Sequence, residues 1–369
     1  MTTTVSIGGV GAVTAPLISN IPYSSLSWTK LMDDFGTAQV QVSSQCVPAM
    51  LLGAHPWVHE LRIEVDGELA WIGPIRFVTM PLNDNVDTFL TIEAYEISYW
   101  FALRFARIAF DFTETNTAVS EVVRQIATAA LTPRDPGMLD FLDISSCPVV
   151  HDRAVLPNDN AWVDHLRDVV GSLMHMRSHG RAVSFWCYGE CLGALPRATA
   201  DQFGKFNNLV YDGERYATDA AVFGRDAIEE VAAVVADPGP PIIVGKPAEP
   251  AIPAVLGLAT PGGSPTFPGV LVERTFRDAS YLDNASATRF AENAITSRSP
   301  LGSAENEALR AEVLCDSPWP ITRVAPGMCA TIGTRYGDLQ MQIESVSGEV
   351  SDEGIQSFSI GFNETLTSV

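Results

Sequence analysis

One stretch, from Leu26 to Arg104, constrains the fold of this chain more than all the rest. It opens with Leu26-Ser27-Trp28-Thr29-Lys30-Leu31-Met32-Asp33-Asp34-Phe35 and then runs as strands. Glu60 to Val65 alternates polar and apolar residues, as does Leu90-Thr91-Ile92-Glu93-Ala94. A period of two marks a strand with one buried face. Asp66-Gly67, set between apolar runs, is a two-residue hairpin signal, because both centres of such a turn need a positive φ. In Trp71-Ile72-Gly73-Pro74-Ile75 the Gly-Pro pair predicts a bulge at Gly73 that Pro74 keeps from pairing. Trp28, Asp66, Gly67, Trp71, Gly73 and Pro74 are therefore the candidate structural residues.

The features come in a fixed order: a W-x-x-x-x-D-D entry, a paired hairpin, a W-x-G-P-I break and an Arg104 exit. That order resembles the N-terminal barrel of the minor tail proteins of actinobacterial siphophages, the hub family at the tip of a phage tail. The resemblance covers most of the chain and is strongest from Leu26 to Leu131. It rests on ordered segments rather than on one diagnostic motif.

Charge is the compositional outlier. The 369 residues carry 23 basic and 44 acidic side chains, a formal net charge of −21. Such a surface repels nucleic acid and anionic membranes, so sequence-specific nucleic-acid binding is not expected; solubility alone is the plainer reason for it. With 46% apolar residues the chain can bury more than one core. No apolar run approaches the ~18 residues of a spanning helix, so no membrane anchor is expected. The N-terminus shows no signal peptide. Six cysteines lack framework spacing, and Cys46, Cys147 and Cys315 sit in apolar, strand-like segments. Buried reduced thiols in a chain assembled in a host cytoplasm are the expectation.

Two helical patterns follow the first barrel. Glu114 to Leu131 places Val119, Val122, Val123, Ile126 and Ala130 at helical spacing, with Thr113 or Thr115 as cap. Asn160 to Met174 does the same with Trp162, Leu166, Val169 and Leu173, started by Asn158 or Asp159. A strand from Gly180 to Tyr188 comes next. Strands are again expected at 209–211 and 217–224. Proline-rich segments then exclude a central strand or helix over 236–241 and 246–253, and a helix is expected over 284–297.

The C-terminal meander, Met328 to Tyr336, a Gly337-Asp338 turn, Leu339 to Val346, an Asp352-Glu353-Gly354 turn and Ile355 to Phe362, repeats the plan of Glu60 to Tyr95. The chain is thus read as a β-rich α+β protein, with two related β-barrel tube domains and two inserted or peripheral α+β domains. The divisions are an arm (1–25), the first barrel (26–108), an α/β insertion (109–204), the second barrel (205–235 plus 310–369) and a Pro-rich, helical peripheral unit (236–309).

The search for chemistry finds no catalytic, cofactor or metal motif. Gly9-Val10-Gly11 lacks the third glycine and the helix of a dinucleotide fingerprint. His55 and His59 flank the non-helical Pro56-Trp57 and share no helix face. His175 and His179 can share one, for a metal or for a favourable helix C-terminus. Cys187 and Cys191 beside them form a C-x-x-x-C, not the usual C-x-x-C. His151-Asp152 and Asp33-Asp34 are neighbours in sequence rather than across a site, and Asp33-Asp34 is expected to cap a turn against Lys30 or the backbone. Trp28, Trp57 and Trp71 read as core or interface anchors, with carbohydrate stacking as the alternative.

What the resemblance implies is a homotrimeric hub in the virion tail. Two barrels in each of three copies would adapt a sixfold tube to a threefold tip. Its partners would be the distal tail protein, the tape-measure protein and other minor tail or fibre proteins, with DNA passing through the channel. Acidic residues are expected to face that channel, with Glu60, Arg62, Glu64 and Glu93 on the polar strand faces. The chain stops seven residues after Phe362, so a wall-cutting or wall-binding domain is expected in another protein. The alternatives are a distal tail ring protein and, from a different class, a cell-wall hydrolase or a sugar-binding module.

Overall fold

The computed structural model describes residues 1–10, 16–43, 54–80, 89–106, 108–112, 115–132, 136–150, 154–156, 159–171, 173–205, 309–314, 316–335 and 337–364, with short strands inside 206–308. The first half contains β1 (Thr3–Gly9), β2 (Ser25–Leu31), β3 (Thr37–Ser43), β4 (His59–Val65), β5 (Glu68–Thr79) and β6 (Phe89–Tyr95). A second module follows, with α1 (Val119–Leu131), β7 (Leu142–Ile144), β8 (Met174–His179) and β9 (Ala182–Cys187). The last part holds β10 (Ala198–Thr199), β11 (Leu309–Glu312), β12 (Cys329–Thr334), β13 (Gly337–Val350) and β14 (Gln356–Glu364).

The alternation in the sequence becomes one 11-stranded sheet with two similar ends. In the first half the strands lie in the order β3-β6-β5-β4, and in the last part in the order β11-β14-β13-β12, every pairing antiparallel. In both, three hairpin-linked strands are preceded by a strand that lies beside the last of them, a Greek-key order. β2 joins the halves, because it pairs with β3 on one side and β13 on the other. Leu26, Val40, Ile63, Ile92, Ile343 and Ile360 are almost fully buried and belong to a single core that runs under both halves. A second core lies in the module of α1, β7, β8 and β9.

The hairpin forms as read. Asp66 and Gly67 have φ of 52° and 80°, and Val65 pairs with Glu68 across them. Asp66 also ties down the start of β1: Thr2 N donates to its Oδ1 at 2.6 Å, and its own N–H donates to Thr2 O at 2.8 Å. Residues 3–9 thus become an edge strand on β4.

Several expectations change. The Gly73-Pro74 pair is not a bulge: Leu61 pairs with Gly73 and Glu60 with Pro74 in register. The extra residues fall on either side, at Ala70 and Arg76. Gly73 is needed instead for space, since a Cβ there would overlap the Tyr95 carbonyl oxygen and lie 2.7 Å from its carbon. Helix α1 starts at Val119 without a side-chain cap. Thr115 hydroxyl donates to Phe112 O, and the first helical N–H is satisfied by Val149 O at 2.6 Å. The second helix is cut short. Asn160, not 158 or 159, caps it by accepting from Trp162 N and Val163 N. Its turns end at Val169 because Gly171, at φ 81°, reverses the chain into β8. The C-terminal hairpin turns two residues earlier than read, with Thr334 paired to Gly337. Cys147 is not a free thiol: it is disulfide-bonded to Cys187, with Cα atoms 5.1 Å apart, and Cys191 is bonded to Cys329. The described strand at 219–223 pairs with 256–259 and 273–277 rather than with the C-terminal meander. The expected helix over 284–297, residues 209–211, Cys46, Cys315 and His151-Asp152 lie outside the described residues.

Candidate functional site

Two regions carry the features that bear on function: the junction between the sheet and the second module, and the outward face of the sheet. Asp33 sits at the junction in a left-handed conformation, φ 64°, which short polar side chains tolerate better than most. It does not cap a local turn. His175 Nδ1 donates to its Oδ2 at 2.7 Å, Met176 N donates to its Oδ1 at 2.8 Å, and Asp33 N donates to Met176 O at 2.8 Å. His175 therefore lies on β8, not on a helix, and its ring stacks on Tyr188 at 4.5 Å. Among the described residues no group of three or more His, Cys, Asp or Glu could hold a metal ion. His55 and His59 do meet, with rings 6.0 Å apart and His55 N donating to His59 Nδ1, because the intervening turn folds them together.

Glu60 was expected on an open polar face and is instead buried at 2% exposure. Arg62 of its own strand and Arg181 of the β8–β9 turn both donate to Glu60 Oε1, so the second module covers this carboxylate. Lys30 and Glu96 are buried and interact with each other, and Arg177 Nη1 donates to Pro326 O at 2.7 Å. Burial raises the Glu96 carboxyl from its usual 4.5 to about 8, against the pull of the Gly36 N–H, which donates to Oε2 at 2.8 Å, and of Lys30. Burial also lowers Lys30 from 10.5 to about 8.

The signs of these shifts give a pH profile. Between about 4.5 and 8 the folded state holds a Glu96 proton that the unfolded chain has lost, so stability falls as pH rises through that window. Between about 8 and 10.5 the unfolded chain holds the Lys30 proton that the folded state has lost, so stability rises again. His179, which burial lowers from 6.5 to about 4, adds the opposite slope below about 6.5. Urea midpoints are therefore expected to fall from about pH 6.5 to a minimum near 8 and to rise again toward pH 10, and Glu96→Gln is expected to flatten the fall between 6.5 and 8. Superimposable profiles for the two proteins would remove Glu96 as the source.

The outward face is set by strand register. Ser25, Ser27 and Thr29 on β2 lie beside Gln41, Gln39 and Thr37 on β3, and beside Ser347 and Glu349 on β13. Ser357 and Ser359 on β14 continue the row, with Ser347 and Ser359 hydroxyls 2.7 Å apart. Thr91 and Glu93 on β6 extend it the other way. In a chain of net charge −21 this broad face holds hydroxyls and amides with few charges. It is polar, and the charged side chains in these rows, Glu349 and Glu93, are both acidic.

The candidate structural residues stand where a frame needs them. Trp28 is buried over Gly348, where a Cβ would come within 2.5 Å of its ring, and Trp71 is buried with Nε1 donating to Thr29 O at 2.9 Å. Burial removes Trp71 from any sugar-stacking role. Trp57 is 36% exposed and lies parallel to Tyr99 at 6.1 Å.

No protein-family model matches this chain, and no curated protein matches it by sequence. Solved structures do match along its whole length. The 43 kDa tail protein of prophage MuSo2 from Shewanella oneidensis aligns over 99% of each chain, with 9% identity and a TM-score of 0.62. A tail protein from Neisseria meningitidis aligns over 99% of this chain and 97% of its own, with 9% identity and a TM-score of 0.58. This chain has the fold of phage tail proteins. The prophage tail protein gp18 from Listeria monocytogenes fits equally broadly, over 98% and 95% of the two chains, with 12% identity and a TM-score of 0.55. None of the three is from an actinobacterial siphophage, so the findings support the broader tail fold and not that narrower group.

Proposed function

We propose that this chain is a structural subunit of a phage tail, forming a trimeric hub at the distal tip that adapts a sixfold tube to a threefold end. The observation that carries this reading is the repeated strand order, β3-β6-β5-β4 and β11-β14-β13-β12, within one full-length tail-protein fold. Two like halves per chain give six like units from three copies. In this reading each half contributes a barrel, and the outward sheet face of hydroxyls and amides lines the DNA channel. Such a wall, with carboxylates at Glu93 and Glu349 among hydroxyls and amides, offers phosphates no ion pairs and is more sparsely charged than the acidic lining expected from composition. The remaining acidic residues then serve solubility on other surfaces. The chain acts without catalysis, next to a distal tail protein, the tape-measure protein and fibre proteins, in a particle assembled in the host cytoplasm.

The test is a copy count. Native mass spectrometry of the purified chain, or a reconstruction of intact tails, is expected to give three copies in one ring. Six copies in one ring would transfer the chain to the distal ring role.

A further inference from the structure

The second module grips the last part of the sheet at the backbone segment 326–329, and that grip holds a covalent bond its other contacts do not need. Arg177 Nη1 on β8 donates to Pro326 O at 2.7 Å. The Trp186 ring on β9 covers Gly327 so closely that a Cβ there would lie 2.4 Å from it. In the segment that leaves β9, Leu192 N donates to Gly327 O at 2.8 Å and Leu195 N to Cys329 O at 2.7 Å, while Cys329 N donates to Gly193 O at 2.9 Å. Gln342 Nε2 on β13 closes the seam from the sheet side, donating to Glu190 O at 3.0 Å. Cys191 and Cys329 sit inside this ladder with Cα atoms 5.6 Å apart, a separation that suits a disulfide and that the backbone bonds hold by themselves.

The two disulfides differ in when exchange reaches them. Cys147 and Cys187 are at 0% exposure in the module core, so external thiols and disulfides meet them only while that core is open. Cys191 and Cys329 are half-buried at the rim of the module, where exchange proceeds in the folded protein. A reducing cytoplasm keeps accessible cysteines as thiols. A chain that folds and assembles there carries this pair reduced, with the two sulfurs already side by side.

We propose that Cys191 and Cys329 are a late lock: they stay thiols while the chain folds and assembles, and bond once the particle has left the cell. The timing rests on the cytoplasmic assembly reading above; the competence of the folded pair to close does not. The oxidant is a low-molecular-weight disulfide, RSSR, outside the cell. One protein thiolate attacks it, forming a mixed disulfide and releasing RS⁻. The other protein thiolate then attacks the protein sulfur of that mixed disulfide and releases the second RS⁻. Two protein thiols thus lose two electrons and two protons, and one RSSR becomes two RSH. Before closure the grip opens by breaking hydrogen bonds alone. After it, residues 191 and 329 stay together through any such opening.

The test has two arms. In the first, the full chain is held in mild reductant, shown to be folded by near-ultraviolet circular dichroism, and given glutathione disulfide without denaturant. Peptide mapping is expected to show Cys191–Cys329 closing, and amide exchange at Leu192, Leu195 and Cys329 is expected to slow about tenfold or more. Cys191→Ser and Cys329→Ser are each expected to stop at the mixed disulfide, one glutathione on the remaining partner, with no slowing. Closure that needs denaturant, or exchange that does not slow, overturns the lock. In the second arm, cells making tails are quenched with N-ethylmaleimide before lysis and compared with released tails. Residues 191 and 329 are expected to be alkylated in the first sample and bonded in the second. A bond already present inside the cell overturns the timing, and thiols persisting in released tails overturn the lock. Absence of the chain from tails overturns the tail-subunit reading instead, and the first arm then decides the lock by itself.

Discussion

Gly73→Ala is expected to destabilise the protein by about 3 kcal/mol or more, a larger effect than one methyl group ordinarily has in a strand. The residue lies on β5 where the strand stops pairing with β4 and starts pairing with β6. The Tyr95 backbone at the end of β6 passes directly over it, and the Trp71 ring closes the remaining side at 2.8 Å from a Cβ. Neither neighbour can move cheaply. Tyr95 is held by its pairing with Thr37, and Trp71 is buried with its indole donating to Thr29 O. Gly67→Ala in the adjoining hairpin is the control. A Cβ there meets nothing within 4 Å, so only the positive φ is strained, at about 1 kcal/mol. Urea unfolding of the two variants separates these mechanisms. If Gly73→Ala proves as mild as Gly67→Ala, the close approach of Tyr95 is not what fixes the glycine.

Features made by neighbours in sequence were legible in advance. The alternation of Glu60 to Val65 and Leu90 to Ala94, with Asp66-Gly67 between, places β4, β5 and β6 within a residue or two because pleat and turn are local properties. Apolar spacing found α1 for the same reason, but not its start, since Val149, not a side chain of the preceding turn, satisfies the first N–H. The second helix failed where two local signals conflicted: apolar spacing continues to Leu173, yet Gly171 takes a left-handed turn that ends the helix first. The junction was not legible. Asp33 finds His175, 142 residues away, and Glu60 finds Arg181, 121 residues away. Periodicity placed Glu60 on a polar face correctly, but it carries no information on what covers that face. The polar, sparsely charged outward sheet was written in the sequence as Ser, Thr and Gln at alternate positions of β2, β3 and β14, with Ser347 and Glu349 on β13. Composition over the whole chain concealed it, because an average charge says nothing about where the acids are few.

The same distance in sequence hid the disulfides, and they set the second large expected effect. Cys191 and Cys329 are 138 residues apart, with Cα atoms 5.6 Å apart in the fold. Backbone bonds hold the two segments together around them: Cys329 N donates to Gly193 O at 2.9 Å, and Leu195 N donates to Cys329 O at 2.7 Å. The folded state therefore needs little from the bond itself, and its main effect falls on the unfolded chain. Closing a loop of that length removes conformational freedom worth about 5 kcal/mol in the chain-entropy account. Cys147–Cys187 closes 40 residues and is expected to contribute about 4 kcal/mol by the same reasoning. The two differ in access, because Cys147 and Cys187 are buried in the second module whereas Cys191 and Cys329 are half-buried. Under native conditions a thiol reductant is expected to open Cys191–Cys329 first, leaving Cys147–Cys187 intact until the module unfolds. Alkylation followed by peptide mass mapping reads the order, and urea midpoints with and without reductant read the effect. Cys329→Ser is expected to reproduce the first step, with a lower midpoint and a reductant response reduced to the Cys147–Cys187 pair. Simultaneous labelling of all four cysteines at the lowest effective reductant concentration would remove the difference in access, and an unchanged midpoint for Cys329→Ser would remove the entropic role.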